Sequence, residues 1–156
     1  MNMRFPVYGR LLIFFDLFIV TNQSGVAKGI ITFADVERIN SYIESILNKN
    51  GIHVVEIYVC PHRRSDNCCC IKPNPFFLLE ASKNYSIDLS SSFVVGDHPH
   101  DVEFAKNVGS TGIYVLSGHG VKHQKELSPD TIVTYDIREA AEIILEHMKK
   151  WKGCVG

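Results

Sequence analysis

From Leu11 to Val20 the chain is apolar except at Asp16, and it then enters the polar run Thr21-Asn22-Gln23-Ser24-Gly25. A short apolar run that ends in a glycine-containing loop predicts a buried strand. Thr32, with Asp35 three residues on, predicts a helix start of the capping-box kind. Val36, Ile39, Ile43, Ile46 and Leu47 then recur at helical spacing, and Gly51 predicts the stop. Ile52 to Val59 is rich in β-branched residues and predicts a strand. Residues 60 to 75 read as a loop, and Pro75 opens a helix to about Tyr85. Phe93-Val94-Val95 predicts a short strand that ends at Gly96-Asp97. A helix from about His100 to Val108, a strand from Ile113 to Leu116, a turn at Gly118-His119-Gly120 and a strand from Thr131 to Thr134 follow. Ile137, Ala140, Ala141, Ile144, Leu145 and Met148 form the apolar stripe of a last helix. Strands alternating with helices predict a single α/β domain over residues 1–156 with a mainly parallel sheet. Ligands of such folds sit beyond the carboxyl ends of the strands. Three loops there carry chemistry: Thr21 to Gly25, Cys60 to Lys72 and Gly96 to Asp101.

Composition narrows the partners. The 156 residues carry 16 basic and 17 acidic side chains, a net charge of −1 with His neutral. That balance gives no electrostatic footprint for nucleic acid and no polybasic stretch for a membrane surface. The Leu11–Val20 run is far short of the ~20 residues that span a bilayer. Only Arg4 and Arg10 precede it and TNQSG is no cleavage site, so no signal peptide is expected. Four of the five cysteines, Cys60, Cys68, Cys69 and Cys70, lie within eleven residues. Adjacent cysteines pair poorly with each other, so a metal in a reducing, cytoplasmic setting reads better than disulfides. Cys154 reads as a free thiol, and a monomer is expected.

Each loop has a chemical reading and a plainer one. Cys60-Pro61-His62, then Cys68 and Cys70, supplies three thiolates and an imidazole, the donor set of a closed structural zinc site. The plainer reading is a set of incidental thiols, and Cys69 is either a spare or a replacement for Cys68 or Cys70. A nucleic-acid zinc module would want a second paired half and basic surroundings beyond Arg63 and Arg64. In Gly96-Asp97-His98-Pro99-His100-Asp101, two carboxylates four apart offer one oxygen ligand for Mg2+ and one orienting group. Alternatively Asp101 caps the next helix and Asp97 satisfies loop amides. His98 and His100 read as solvated loop residues. The hydroxyl and amides of Thr21 to Gly25 suit a phosphoryl group, or form a polar turn. Lys72 offsets phosphate and carboxylate charge, or is a surface lysine.

The order VTNQSGVAKGIITFADVERI, YVCPHRRSDNCCCIKPNP, SFVVGDHPHDVEFAKNVG resembles the haloacid dehalogenase superfamily of phosphatases over roughly residues 17 to 120. Within it the chain is similar to the zinc-containing D-glycero-D-manno-heptose 1,7-bisphosphate phosphatases and the related histidinol-phosphate phosphatases. The resemblance implies a Rossmann-like three-layer sandwich and a hydrolase of phosphate monoesters of small sugars. It implies Thr21 as the phosphate-binding hydroxyl, with Asn22 and Gln23 close to substrate. It implies Lys72 as the lysine that stabilises the transferred group, Asp97 as the Mg2+ ligand and Asp101 as its neighbour. Cys60, His62, Cys68 and Cys70 would hold a structural zinc that folds the loop covering the active site.

The departures from the family pattern lie close to the expected phosphate. Ile71 stands where the family commonly has arginine, His98 where it often has lysine, and Asn74 and Phe76 break the K-P-x-P-G pattern. The family nucleophile is an aspartate that forms an aspartyl-phosphate, with an acid/base aspartate two residues later. No D-x-D precedes Thr21 here; Asp16 is followed two residues later by Phe18. A strand, crossover helix and strand need ~30 or more residues, and only 20 precede Thr21. The chain is therefore expected to start after the first central strand, with a crossover-helix remnant or unrelated sequence in Met1 to Arg10, and to turn over little. The alternative function is a zinc-stabilised remnant that binds a phosphorylated ligand or a partner.

Overall fold

The computed structural model describes residue 11 and residues 13–153. Cys154 and the Met1–Arg10 segment therefore lie outside the described residues. The chain divides into two compact units, one ending at Ile71 and one beginning at Lys72.

The first unit is a parallel pair with one helix. Strand β1 (Leu17–Asn22) pairs in parallel with β2 (Val54–Cys60), in a register that sets Thr21 beside Val59 and Asn22 beside Cys60. The apolar run begins at Leu11, but the strand begins at Leu17. Before it the backbone turns, with the Phe14 and Phe15 amides both donating to the Leu11 carbonyl. Its partner strand starts only at Val54, so pairing rather than hydrophobicity sets where β1 begins.

Helix α1 (Phe33–Lys49) starts where Thr32 and Asp35 predicted it. The Thr32 hydroxyl accepts from the Asp35 amide, and the Asp35 carboxylate accepts from the Thr32 amide. Its apolar stripe is only partly covered. Val36 is buried, whereas Ile39, Tyr42, Ile43 and Ile46 are exposed. A sheet of two strands offers a narrow surface, and a helix lying on it covers one edge of a stripe this wide.

The second unit holds a three-stranded parallel sheet, ordered β3 (Phe93–Gly96), β4 (Thr111–Val115), β5 (Ile132–Thr134). Helix α2 (Phe76–Tyr85) precedes it, α3 (Pro99–Lys106) joins β3 to β4, and α5 (Ile137–Gly153) closes the unit. Ile113, Tyr114, Phe104, Ala105, Ala140, Ala141 and Ile144 make its core. The expected turn at residues 118–120 extends into a short helix, α4 (Gly120–His123), and a 3-10 turn at Gln124–Glu126. Both units are α/β with parallel strands, as predicted. Among the described residues no strand precedes β1.

Candidate functional site

In the first unit, the loops that leave β1 and β2 are tied together. The Gln23 amide donates to the Cys60 carbonyl at 2.7 Å and the Ala27 amide to the Pro61 carbonyl at 3.2 Å. Arg63 donates from Nε to the Ala27 carbonyl at 3.0 Å and from Nη2 to the same oxygen. Gln23 Nε2 donates to Thr21 Oγ1 at 3.1 Å, which orients the hydroxyl at the end of β1. Sequence reading gave Arg63 no part in the site; a long-range side-chain bond to a carbonyl leaves no local pattern.

Cys60, His62, Cys68 and Cys70 bring one donor atom each within 4.8 Å of one another. Cys60 and Cys70 Sγ lie 3.1 Å apart, and Cys68 Sγ is 3.6 Å from each. His62 Nδ1 is 3.4 Å from Cys70 Sγ and 3.8 Å from Cys60 Sγ. Tetrahedral zinc, from its usual bond lengths, sets S···S edges of about 3.8 Å and S···N edges of about 3.6 Å. The donor set is therefore nearly at coordination spacing. Cys69 is exposed and is not among the grouped donors, whereas Cys68 and Cys70 both are.

Burial pushes the Cys60 thiol above its ordinary pKa, and burial pushes that of Cys70 up further. Burial also raises Cys68, but the Cys60 and Cys70 thiols beside it outweigh that and bring it below the ordinary value. Three crowded thiols resist losing all their protons to water, and a divalent cation is what stabilises three thiolates together.

In the second unit, Lys72 Nζ lies 2.7 Å from Asp101 Oδ1, with both side chains largely buried. The other oxygen, Asp101 Oδ2, accepts from the His98 amide at 3.1 Å and completes the cap of α3. Asp101 is thus the helix cap of the plainer reading, and it also pairs with Lys72. Gly96 makes room for it: a Cβ there would meet the Asp101 carboxyl at 2.3 Å.

Asp97 follows directly after β3. Its Oδ2 accepts from the His119 amide at 2.8 Å, and a Cβ on Gly118 would fall 2.3 Å from the same oxygen. Gly118 also has φ +63°, a conformation that favours glycine. The segment is pinned from below by Tyr114 Oη, which donates to the Gly120 carbonyl at 2.8 Å. Burial, with the Asp97 charge behind it, pushes the Tyr114 pKa up, so it remains a donor. A hard carboxylate ligand backed by a second carboxylate fits Mg2+, which takes one or two carboxylates and completes its shell with water and phosphate.

His98 and His100 differ from expectation. They are half-buried, and their rings stack at 4.5 Å. His123 covers them, its ring centre 4.6 Å from that of His98. The return of the chain through α4 shields these rings, a tertiary effect that the motif alone does not encode. Burial, then the neighbouring His123, holds the His98 pKa below the usual imidazole value.

Comparison with known proteins gives these loops a lineage. Residues 69–140 match the family model described as HAD-hydrolase-like, for haloacid dehalogenase. The D-glycero-beta-D-manno-heptose-1,7-bisphosphate 7-phosphatase of Pseudomonas aeruginosa is 33% identical over 129 residues, covering 82% of this chain and 72% of that protein. The enzyme of the same name from Helicobacter pylori is 39% identical over 89 residues, 56% of this chain and 51% of its own length. The crystal structure of the D,D-heptose 1,7-bisphosphate phosphatase of Bordetella bronchiseptica, complexed with magnesium and phosphate, superposes with a TM-score of 0.82 at 30% identity. That match covers 91% of this chain and 81% of the other. On this similarity of sequence and fold, the chain belongs to the haloacid dehalogenase-like hydrolases, in the group that includes the heptose-bisphosphate phosphatases.

Proposed function

We propose that this chain serves the Mg2+-dependent hydrolysis of a sugar phosphate, its substrate class being that named for its relatives. The observation that carries the reading is the largely buried Lys72–Asp101 pair, with Asp97 four positions before Asp101 at the end of β3. A lysine held by one carboxylate, with a second carboxylate suited to Mg2+, is an arrangement for receiving a doubly charged phosphoryl group. Thr21 is the phosphate-binding hydroxyl, with Asn22 and Gln23 close to substrate. Lys72 offsets charge on the transferred group, Asp97 is the Mg2+ ligand, and Asp101 holds Lys72 in place. Bound Mg2+ would supply charge neutralisation at the phosphoryl oxygens. Cys60, His62, Cys68 and Cys70 hold a zinc ion whose role is structural.

The sequence contains no D-x-D before Thr21, so turnover by these 156 residues alone is expected to be negligible while phosphate binding persists. Calorimetric titration of inorganic phosphate with and without Mg2+ tests the binding. Asp97→Asn and Lys72→Met are each expected to abolish the Mg2+-dependent component. Phosphate release from a sugar phosphate that Asp97→Asn abolishes would overturn the expectation of negligible turnover. Metal analysis of protein purified without added zinc is expected to give about one ion per chain. Thiols kept reduced suit a cytoplasmic protein, and sedimentation is expected to show a monomer that binds no nucleic acid or membrane. No helix among the described residues is long and apolar enough to cross a membrane.

A further inference from the structure

Lysine is a point charge on a flexible four-carbon stem. Pairing its head with a carboxylate fixes one end of that stem and leaves the other end to the backbone. At Lys72 the head is held by Asp101, in the first turn of α3. The backbone beside it has few handles. The next residue is Pro73. Proline has no N–H, so its carbonyl is the one backbone group of that residue able to form a hydrogen bond. Asn107 takes it: Nδ2 donates to the Pro73 carbonyl at 2.9 Å, across 34 positions of sequence.

Asn107 stands at the far end of the same helix. It directly follows Lys106, the last residue of α3, and a helix rises about 9 Å between positions 101 and 107. Its carboxamide is not needed to end the helix, because backbone groups do that. The Asn107 backbone amide donates to the Glu103 carbonyl at 2.9 Å, the Ser110 amide to the Ala105 carbonyl at 3.0 Å, and Gly109 makes the left-handed turn at φ +76°. Phe104 and Ala105, between the two points, are buried in the core and hold α3 in place. One helix therefore grips Lys72 twice, its ammonium through Asp101 and its adjoining backbone through Asn107. A carboxylate accepts an ammonium from several directions, so Asp101 alone leaves the stem room to swing. The second grip removes that swing. Asn107 is exposed, and an exposed hydrogen bond competes with water and adds little to stability. Its effect lies in placement.

We propose that Asn107 is a positioning residue for Lys72, fixing the backbone at Pro73 so that the ammonium meets a phosphoryl group at a set point. The inference rests on the phosphate-binding reading above.

The test uses the whole chain and three measurements. They are calorimetric titration of inorganic phosphate in Mg2+, titration of Mg2+ alone, and the 15N resonance of the Lys72 ammonium, identified by its absence in Lys72→Met. Asn107→Ala removes the donor at an exposed position that alanine tolerates, so Tm is expected to stay within about 2 °C. Phosphate affinity should fall about fivefold, the effect of one hydrogen bond. Mg2+ affinity should not change, because Asp97 takes no part in the grip. The Lys72 ammonium resonance should shift or broaden. Asn107→Gln keeps a carboxamide donor and is expected to restore both the phosphate affinity and the resonance. Wild-type phosphate affinity in Asn107→Ala, equal weakening of phosphate and Mg2+, an unmoved ammonium resonance, or no recovery in Asn107→Gln would each overturn the positioning role while leaving the phosphate site standing. If wild type binds no inorganic phosphate in Mg2+, the phosphate reading and this inference fall together.

Discussion

The two chemically loaded loops solve opposite problems. The loop after β2 gathers neutral, reluctant acids: buried thiols whose protons are hard to remove. The loop after β3 gathers groups that are already charged and already paired, Lys72 against Asp101. The first is complete only when a cation replaces the protons. The second is balanced within itself by the Lys72–Asp101 pair. With the proposed zinc in place, one loop would draw its order from a metal, and the other draws it from the protein around it.

The largest expected break in this contrast is at Cys70. Cys70→Ala removes a buried donor that meets all three others, and zinc stoichiometry is expected to collapse. Loss of a structural metal site is worth several kcal/mol, a fall in Tm of about 10 °C or more. Hydrogen exchange should show where: the amides of Gln23 and Ala27, which bond to Cys60 and Pro61 carbonyls, lose protection, while those of β3 to β5 keep theirs. Uniform loss across both units would deny the contrast.

Next is Lys72→Met. It leaves the Asp101 carboxylate largely buried without its cation, at about 3 kcal/mol, read as a shift in the denaturation midpoint. Asp101→Asn in the same background should recover much of that loss, because no buried charge is then left over. Zinc content should stay the same in both.

Gly118→Ala is expected to be smaller in stability, about 1–2 kcal/mol from the left-handed backbone, yet large in function. The added Cβ displaces Asp97 Oδ2, so Mg2+-dependent phosphate binding should weaken at least tenfold while phosphate binding without Mg2+ is unaffected.

The smallest effect is at the start of α1. Thr32→Ala removes the cap, about 1 kcal/mol. The Thr32 hydrogen bonds hold the Asp35 carboxyl below its usual value, so the folded state binds that proton less readily than the unfolded state. This contribution is present above the unfolded carboxylate pKa and is lost as pH falls through the folded value. The acid limb of the stability curve should therefore be shallower in Thr32→Ala; an unchanged limb would leave the cap without that role.

Much of this was legible because it is local. The TNQSG loop, the Cys-x-His and Cys-x-Cys pairs, the Thr32 cap and the alternation of strand and helix each span a few residues. What escaped depends on the chain returning. The shielding of His98 comes from residues 117–126, the strap from Arg63 reaches Ala27 across 36 positions, and the exposure of Ile39 and Tyr42 reflects how little sheet α1 has to lie on. Periodicity reports that a stripe exists; only tertiary structure decides how wide a surface meets it.

The Arg63 strap and the two amide stitches beside it join the end of β1 to the sulfur-bearing loop. If that loop holds the proposed zinc, oxidants that convert its thiols to disulfides would expel the ion and slacken those stitches together, so the hydroxyl at Thr21 would lose its bearing before either sheet unfolds. On the proposed reading, the setting of the Thr21 hydroxyl is thereby tied to the redox state of its surroundings, through the Arg63 strap and two backbone bonds.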